Sequence, residues 1–517
     1  MKNRIFIYII ALISYIFVNI LSMTKYPFVH SDETWLAGLS KTIMDNSTFK
    51  ITEPFFDLYP RQPHAIKSLF HALQGVWISL FGYTPFSVRM LSFLIAVITL
   101  ITLFVYLQKK EASRVHGFLF TCMLAMSIQF IYASHFGRQE IFILLFMLMN
   151  YIWIDVKLKK AVHRSDQIRT AFVSSLLTGI AIGFHPNSFL IACVVGLILL
   201  FDAIQNRRVL SILTYVINTG LIAGFYIIVS IKWNSGFLYD YKSFGDSLGA
   251  TLTISEKFQT FPIFLYKLYH GISATYHTPN IRLELILLGI MVIVSILSLV
   301  FSSNEKLKRS IVNPLLACIG LTGGLILIGR YNATSIVFYL PFLVLLLHAA
   351  LTHTPIGNHY KSVVLVVIVV LLSLNSGQTV FKPQLESYEA YTSNFEKYIP
   401  EDAKVLCNLN AGFALSPNQF FDYRNMAYLD HYNLSVETYL IQNEIEYVVL
   451  SEEMDYINRN QDSWDILYGS MDYYDAFKQV LSEDYILTHE FSSPQYGMRI
   501  VKYNDGYPWN VQIYQKK

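Results

Sequence analysis

The chain has 517 residues, 54% hydrophobic and 15% charged, which is too apolar for a soluble protein and implies many membrane spans. Its formal charge of +3 is small for this length, and no segment joins a Lys/Arg run to interleaved aromatics, which argues against nucleic acid as a partner. Four cysteines, three of them in apolar stretches, leave Cys407 without a neighbour and imply neither a disulfide framework nor a Cys-based zinc site.

A helix needs about 20 apolar residues to cross the hydrocarbon core. Such windows recur at 5–23, 86–107, 115–134, 140–156, 170–184, 187–203, 209–231, 283–301, 311–328, 334–351 and 360–376, which predicts eleven spans. The first follows Lys2 and Arg4, lacks a small-x-small cleavage site and reads as an uncleaved signal anchor. With a cytoplasmic N-terminus, the loops 108–114, 157–169, 202–208, 302–310 and 352–361 lie inside and carry fourteen Lys and Arg, among them Lys109, Lys110, Arg207, Arg208 and Lys361. The short outer turns hold only Arg138, His185 and Arg330, so the positive-inside rule favours this orientation in a plasma membrane. Three long segments then face out: 24–85, 232–282 and 377–517.

In the first outer segment, His30-Ser31-Asp32-Glu33 supplies N-cap side chains to a predicted surface helix with apolar members Trp35, Leu36, Leu39 and Ile43. After Pro54–Pro63, residues Ile66 to Leu80 repeat the pattern in a second interfacial helix. His185-Pro186-Asn187 reads as a tight outer turn or a mid-membrane break. Pro262–Tyr276, crowded with aromatics, reads as a belt at headgroup level. The tail changes character: short apolar runs at 404–409, 426–429, 447–450, 485–489 and 498–503 alternate with helical patterns at 435–443 and near 464–481. The fold class is therefore a membrane helical bundle over 1–376, followed by a small extracytoplasmic α/β domain over 377–517.

Asp32-Glu33 and Arg138-Gln139-Glu140 both fall at the outer ends of spans, and topology sets Arg61, His64, Arg89, His135 and Arg330 at the same level. Sugar transfer from a lipid phosphate needs such a gathering. The departing phosphate needs fixed cations rather than a proton, and the acceptor hydroxyl needs a base. Asp32 is the candidate base, and a neighbouring Glu140 together with low dielectric is expected to raise its proton affinity. The bland readings stand beside it: acids at helix starts cap them, Arg138 pairs across its turn with Glu140, Arg61 and Lys67 meet headgroups, and the histidines are satisfied or interfacial.

Four stretches resemble one family: HSDETWLAGLSKTI, YPRQPHAIKSLFHALQGVWISLFGYTPFSVRMLSFL, HFGRQEIFILLFMLMNYIW and GRYNATSIVFYLPFLVLL. They are similar to motifs of the C-type (GT-C) glycosyltransferases that use polyprenyl-phosphate sugars, especially the protein O-mannosyltransferases and the lipid A aminoarabinose transferases. The resemblance covers nearly the whole chain. It implies that Asp32 is the first-loop catalytic acid and Glu140 the second acid, and that Arg61 stands in place of a family lysine contacting the lipid phosphate. Arg89 and Arg330 look like the family's arginines at outer span ends; Tyr331, Glu33, His64, His135 and Arg138 complete the expected substrate-binding set. The chain departs from the family in having Arg61-Gln62-Pro63 for Lys-Pro-Pro, and glutamate at position 140. The resemblance further implies an inverting transfer to a lipid, glycan or protein hydroxyl with no catalytic metal and no cofactor. The alternatives are a metal-dependent oligosaccharide transferase using a lipid diphosphate, and a lipid-linked sugar transporter or flippase.

Overall fold

The computed structural model describes residues 2–517 except 111–112, 159–160, 162, 248–251, 330, 356, 461–463, 465–466 and 505. Helices cover all eleven predicted windows: α1 (Lys2–Ser22), α4 (Pro85–Lys110), α5 (Arg114–Ala125) with α6 (Ile128–Ser134), α7 (Glu140–Lys157), α8 (Arg164–Ile182), α9 (Ser188–Asn206), α10 (Val209–Trp233), α13 (Arg282–Phe301), α14 (Glu305–Ile328), α15 (Leu340–His353) and α16 (Asn358–Val380). Between them lie α2 (Ser31–Asp45), α3 (Ser68–Phe81), α11 (Phe237–Ser247) and α12 (Ile254–His270). Among the described residues, seven of these segments are long and apolar enough to cross a bilayer, eight with the bent α5–α6 pair. The bundle is that of a membrane protein, with exposed Phe, Ile and Val around the outer helices. Only 6% of the α10 window is buried against 83% of the window around α15, which places α15 at the centre and α10 at the lipid boundary.

Two departures from simple spans have local causes. The window 115–134 is broken, α5 and α6 meeting at 67°. The break is affordable because Glu284 Oε1 accepts hydrogen bonds from the Ser127 hydroxyl and the Ile128 N–H, both at 3.1 Å, while the Met126 carbonyl accepts from the Ser376 hydroxyl. The span at 334–351 begins as a 3-10 helix over Ala333–Tyr339 and turns α-helical at Leu340. His185-Pro186-Asn187 is a tight turn: Ser188 N–H bonds the His185 carbonyl at 3.0 Å, and α8 and α9 are separate helices.

The outer segment differs from expectation in its buried face. On α2 the residues that pack are Thr34, Ala37, Gly38, Ser40, Thr42 and Ile43, while Trp35, Leu36 and Leu39 are only half-buried. Small residues let α2 lie close against α3 on one side and the C-terminal domain on the other. On α3, Leu69, Leu73, Val76, Leu80 and Phe81 point outward as an apolar row while Phe70, Gln74 and Ile78 pack inward, the pattern of an interfacial helix.

The C-terminal domain begins after α16, which runs through Val380. It carries a mixed five-stranded sheet of order β2-β1-β3-β5-β4, made of β1 (Val405–Cys407), β2 (Phe420–Asp422), β3 (Tyr447–Ser451), β4 (Tyr485–Ser492) and β5 (Asn510–Lys516). β1 pairs in parallel with β2 and β3, and β5 antiparallel with β3 and β4. Helices α17 (Tyr388–Tyr398), α18 (Val436–Gln442), α19 (Glu452–Arg459) and α20 (Tyr474–Asp484) accompany it. The runs 426–429 and 498–503, expected as strands, are instead mostly 3-10 turns, and β2 and β5 were not anticipated.

Candidate functional site

Glu33 is the anchor of the outer region. It completes a capping box at the start of α2, its Oε2 accepting the His30 N–H at 3.0 Å. Arg89 of α4 binds it through both Nε (2.8 Å) and Nη2 (2.7 Å) and spends its other donors on the carbonyls of Met23, Pro27 and Phe28. Both side chains are fully buried. Glu33 Oε1 also accepts the Gly137 N–H at 2.8 Å, and a side chain at 137 would collide with Val88. This closed network draws the turn after α6 against the start of α2.

That approach puts the next residue, Arg138, onto the other acid of the pair. Arg138 Nη1 meets Asp32 Oδ2 at 2.7 Å and Nη2 meets Glu140 Oε1 at 3.1 Å, so one guanidinium joins two carboxylates from distant parts of the chain. Tyr276, from the second outer segment, donates its hydroxyl proton to Asp32 Oδ2 and accepts a hydrogen bond from Arg138 Nη1. Its ring stacks on His30 at 4.4 Å. The His30 Nδ1 accepts the Asp32 N–H, so Nε2 carries the proton and donates it to the Thr275 carbonyl at 3.0 Å. Glu140 Oε1 also takes the Thr334 hydroxyl at 3.1 Å, while its buried Oε2 has no hydrogen-bond partner among the described residues.

Burial pushes the Asp32 carboxyl upward, but Arg138, His30, the Tyr276 hydrogen bond and Arg424 together outweigh it and hold Asp32 well below the usual carboxylate range. This corrects the expectation of raised proton affinity: Glu140 is present, but a guanidinium sits between the two acids and cancels its influence.

Further cations surround this cluster, and Lys67 and Arg424 are coupled electrostatically to Asp32. Lys67 takes a left-handed backbone (φ 74°) at the start of α3, and among the described residues its ammonium makes no hydrogen bond or ion pair. Burial, with Arg61 and Arg138 adding to it, pushes Lys67 down to about 8 despite the opposing charges of Glu53 and Asp32. Arg424, from the C-terminal domain, lies 4.9 Å from the Trp35 ring centroid and its charge is felt by Asp32. Arg61 pairs with buried Glu53 at 3.0 Å and lies over the other partner of that carboxylate, Trp35, at 4.7 Å. Arg499, also from the C-terminal domain, reaches the Ser31 hydroxyl at 3.3 Å.

The structure thus brings Asp32, Arg138 and Glu140 together, while Arg61 pairs with Glu53. It does not bring in the rest. Glu33 and Arg89 saturate each other and cannot take a substrate without breaking a buried ion pair, at a cost of about 3–5 kcal/mol. His135 is fully buried, its ring nitrogens against the Tyr26 carbonyl and the Asn19 side chain, both at 2.9 Å. These three expected substrate contacts are framework. His64 packs toward Phe237 and Tyr241, and burial with Lys67 and Arg61 nearby pushes it down to about 3. Tyr331 bonds the Lys257 carbonyl at 2.5 Å and stacks on Phe264 of α12. Arg330 lies outside the described residues. Sequence reasoning missed Tyr276 and Arg424 and reduced Lys67 to a headgroup contact.

No protein-family model matches the chain, and no curated protein sequence does. Solved structures do match in shape. ArnT from Cupriavidus metallidurans, bound to undecaprenyl phosphate, is 10% identical with a TM-score of 0.50, over 99% of this chain and 98% of that one. The archaeal oligosaccharyltransferase AglB from Archaeoglobus fulgidus, in complex with an inhibitory peptide and a dolichol-phosphate, is 13% identical with a TM-score of 0.50, over 94% and 73%. The Archaeoglobus fulgidus oligosaccharyltransferase in complex with Zn and sulfate is 12% identical, again at 0.50, over 93% and 72%. At these identities the likeness establishes the fold, and the fold is GT-C.

Proposed function

We propose that this chain is a membrane glycosyltransferase that moves a sugar from a polyprenyl-phosphate monosaccharide to a hydroxyl of a lipid, glycan or protein on the outer face of the plasma membrane, with inversion. The observation that carries this reading is Arg138, held between Asp32 and Glu140 and coupled to Lys67, whose ammonium has no ion pair among the described residues. The carriers bound in the ArnT and AglB structures support the donor class.

In the reaction the acceptor oxygen attacks the anomeric carbon, the bond from that carbon to the phosphate oxygen breaks, and the acceptor proton passes to the Asp32 carboxylate. The lipid phosphate leaves as an anion, and Lys67 and Arg138 receive its charge. Asp32 is ionised at any physiological pH, so it always accepts a proton but does so weakly while Arg138 holds it. A donor phosphate competes for that guanidinium and thereby returns proton affinity to Asp32 as the donor binds.

The test is Asp32→Asn, assayed by transfer from a radiolabelled polyprenyl-phosphate sugar in membranes with matched protein levels. Transfer should fall by roughly 100- to 10,000-fold. Turnover near wild type would remove Asp32 from the role of base. The AglB likeness keeps a metal-dependent transfer from a lipid diphosphate as the second reading. The two readings separate on a chelator: with Arg138 bridging the carboxylates, transfer should persist in EDTA, whereas loss restored by a divalent ion would select the second.

A further inference from the structure

A polar cavity of about 260 Å³ opens at the end of the bundle opposite Asp32. It lies where α4 ends, α5 begins, α15 ends and α16 begins. Its lining mixes Lys110, His116 and Lys361 with Phe120, Leu351 and Leu365. None of these residues takes part in the site around Asp32.

The cations differ in how far they are neutralised. Lys110 pairs with buried Asp155, which also accepts the Tyr106 hydroxyl at 2.8 Å, and its ammonium lies over the Tyr106 ring. Lys361, in the first turn of α16, meets the Thr352 carbonyl at the long distance of 3.4 Å, and among the described residues no carboxylate pairs with it. His116 Nε2 lies 3.0 Å from the Ser362 hydroxyl. Among the described residues Lys361 thus presents a charge that no carboxylate pairs with, beside the N-terminal turn of a helix, where backbone N–H groups add to the positive field. Lys109, Arg114, Lys157, Arg207 and Arg208 sit at the same end of the bundle, so the surroundings reinforce that field. An anion with an apolar tail suits this lining: its charge goes to Lys361, and the first carbons of its chain lie on Phe120 and Leu351.

We propose that this cavity holds the phosphodiester headgroup of an anionic bilayer lipid, a site separate from that of the proposed sugar donor and independent of it. Basic pockets between helices at the end carrying the Lys and Arg are where such headgroups bind. The full-length protein, purified in detergent, would be examined by native mass spectrometry with phosphatidylglycerol, phosphatidylcholine or glycerol 3-phosphate as the added probe. Phosphatidylglycerol should be retained in preference to phosphatidylcholine, with K361Q lowering that retention about fivefold and K361R restoring it. Leu351→Trp, which fills the apolar part of the lining and leaves Lys361 in place, should lower it as well. Equal retention of the two lipids, or K361Q behaving as wild type, would overturn the proposal. Glycerol 3-phosphate binding as tightly as phosphatidylglycerol would overturn the lipid assignment in favour of a small-anion site.

Discussion

Asp32 and Glu33 are adjacent in the chain, yet one is sealed and one is half-open. Glu33 accepts four donors and is fully buried; Asp32 keeps 21% of its side chain exposed. Because Tyr276 bonds the ionised form of Asp32, Tyr276→Phe should raise the Asp32 pKa. If Asp32 is the proposed base, activity needs its carboxylate, so the acid limb of the kcat/KM profile, which lies well below neutrality, should move to higher pH. An acid limb that stays in place would detach Tyr276 from the base. Lys67 gives the opposite limb. As the proposed phosphate contact it acts only when protonated, so kcat/KM for the donor should fall as pH rises through about 8, and Lys67→Arg should abolish that fall because guanidinium stays charged. Asp32, Arg138 and Glu140 were legible because charged residues at span ends are few and topology puts them on one side. Lys67 and Tyr276 were not. A left-handed backbone at 67 leaves no mark in the residue type, and Tyr276 is one aromatic among many in its segment.

At the scale of elements, each of the eleven apolar windows holds a helix because lipid demands a long apolar run whatever the tertiary contacts, although among the described residues only seven or eight qualify as spans. What hydropathy did not show was the break between α5 and α6. That break depends on Glu284, which stands 157 residues beyond the Ser127 it caps. The same limit applied to the short strands β1 and β2, three residues each, whose pairing is set by the sheet rather than by their own pattern. Helix packing is more local. On α14, Gly320 and Gly324 have G-x-x-x-G spacing and face α9, where a Cβ at 320 would stand 2.9 Å from the Cys193 carbonyl oxygen. Backbone cannot yield as a side chain can. Gly320→Leu should therefore force α9 and α14 apart and destabilise the bundle by at least about 1–3 kcal/mol, read as a lower melting temperature in detergent. Gly323→Leu, whose Cβ meets nothing within 4 Å, is the control and should melt as wild type.

At the scale of the whole molecule, the C-terminal domain is part of the site rather than a detachable module. Val29, Phe55 and Phe56 of the first outer segment share a core with Tyr391, Phe395 and Val405 of the domain. Hydrogen bonds cross the same boundary, from the Thr34 hydroxyl to the Leu409 carbonyl at 2.7 Å and from Asn425 to the Phe55 carbonyl at 2.9 Å. Through this seam Arg424 reaches Trp35 and bears on Asp32, and Arg499 reaches Ser31. Cutting the chain after Phe381 would keep every span but expose that shared core and remove both arginines. Transfer by the truncated protein should be lost even where it inserts into the membrane at normal levels. Since truncation also disturbs folding, Arg424→Gln supplies the cleaner measurement. It removes one positive charge near Asp32, so kcat/KM for the donor should fall by about tenfold, the effect of roughly 1.4 kcal/mol, and since it also takes away the cation 4.0 Å from buried Asp422, the melting temperature is read on the same samples. Full transfer by either protein would return the domain to the status of an appendage.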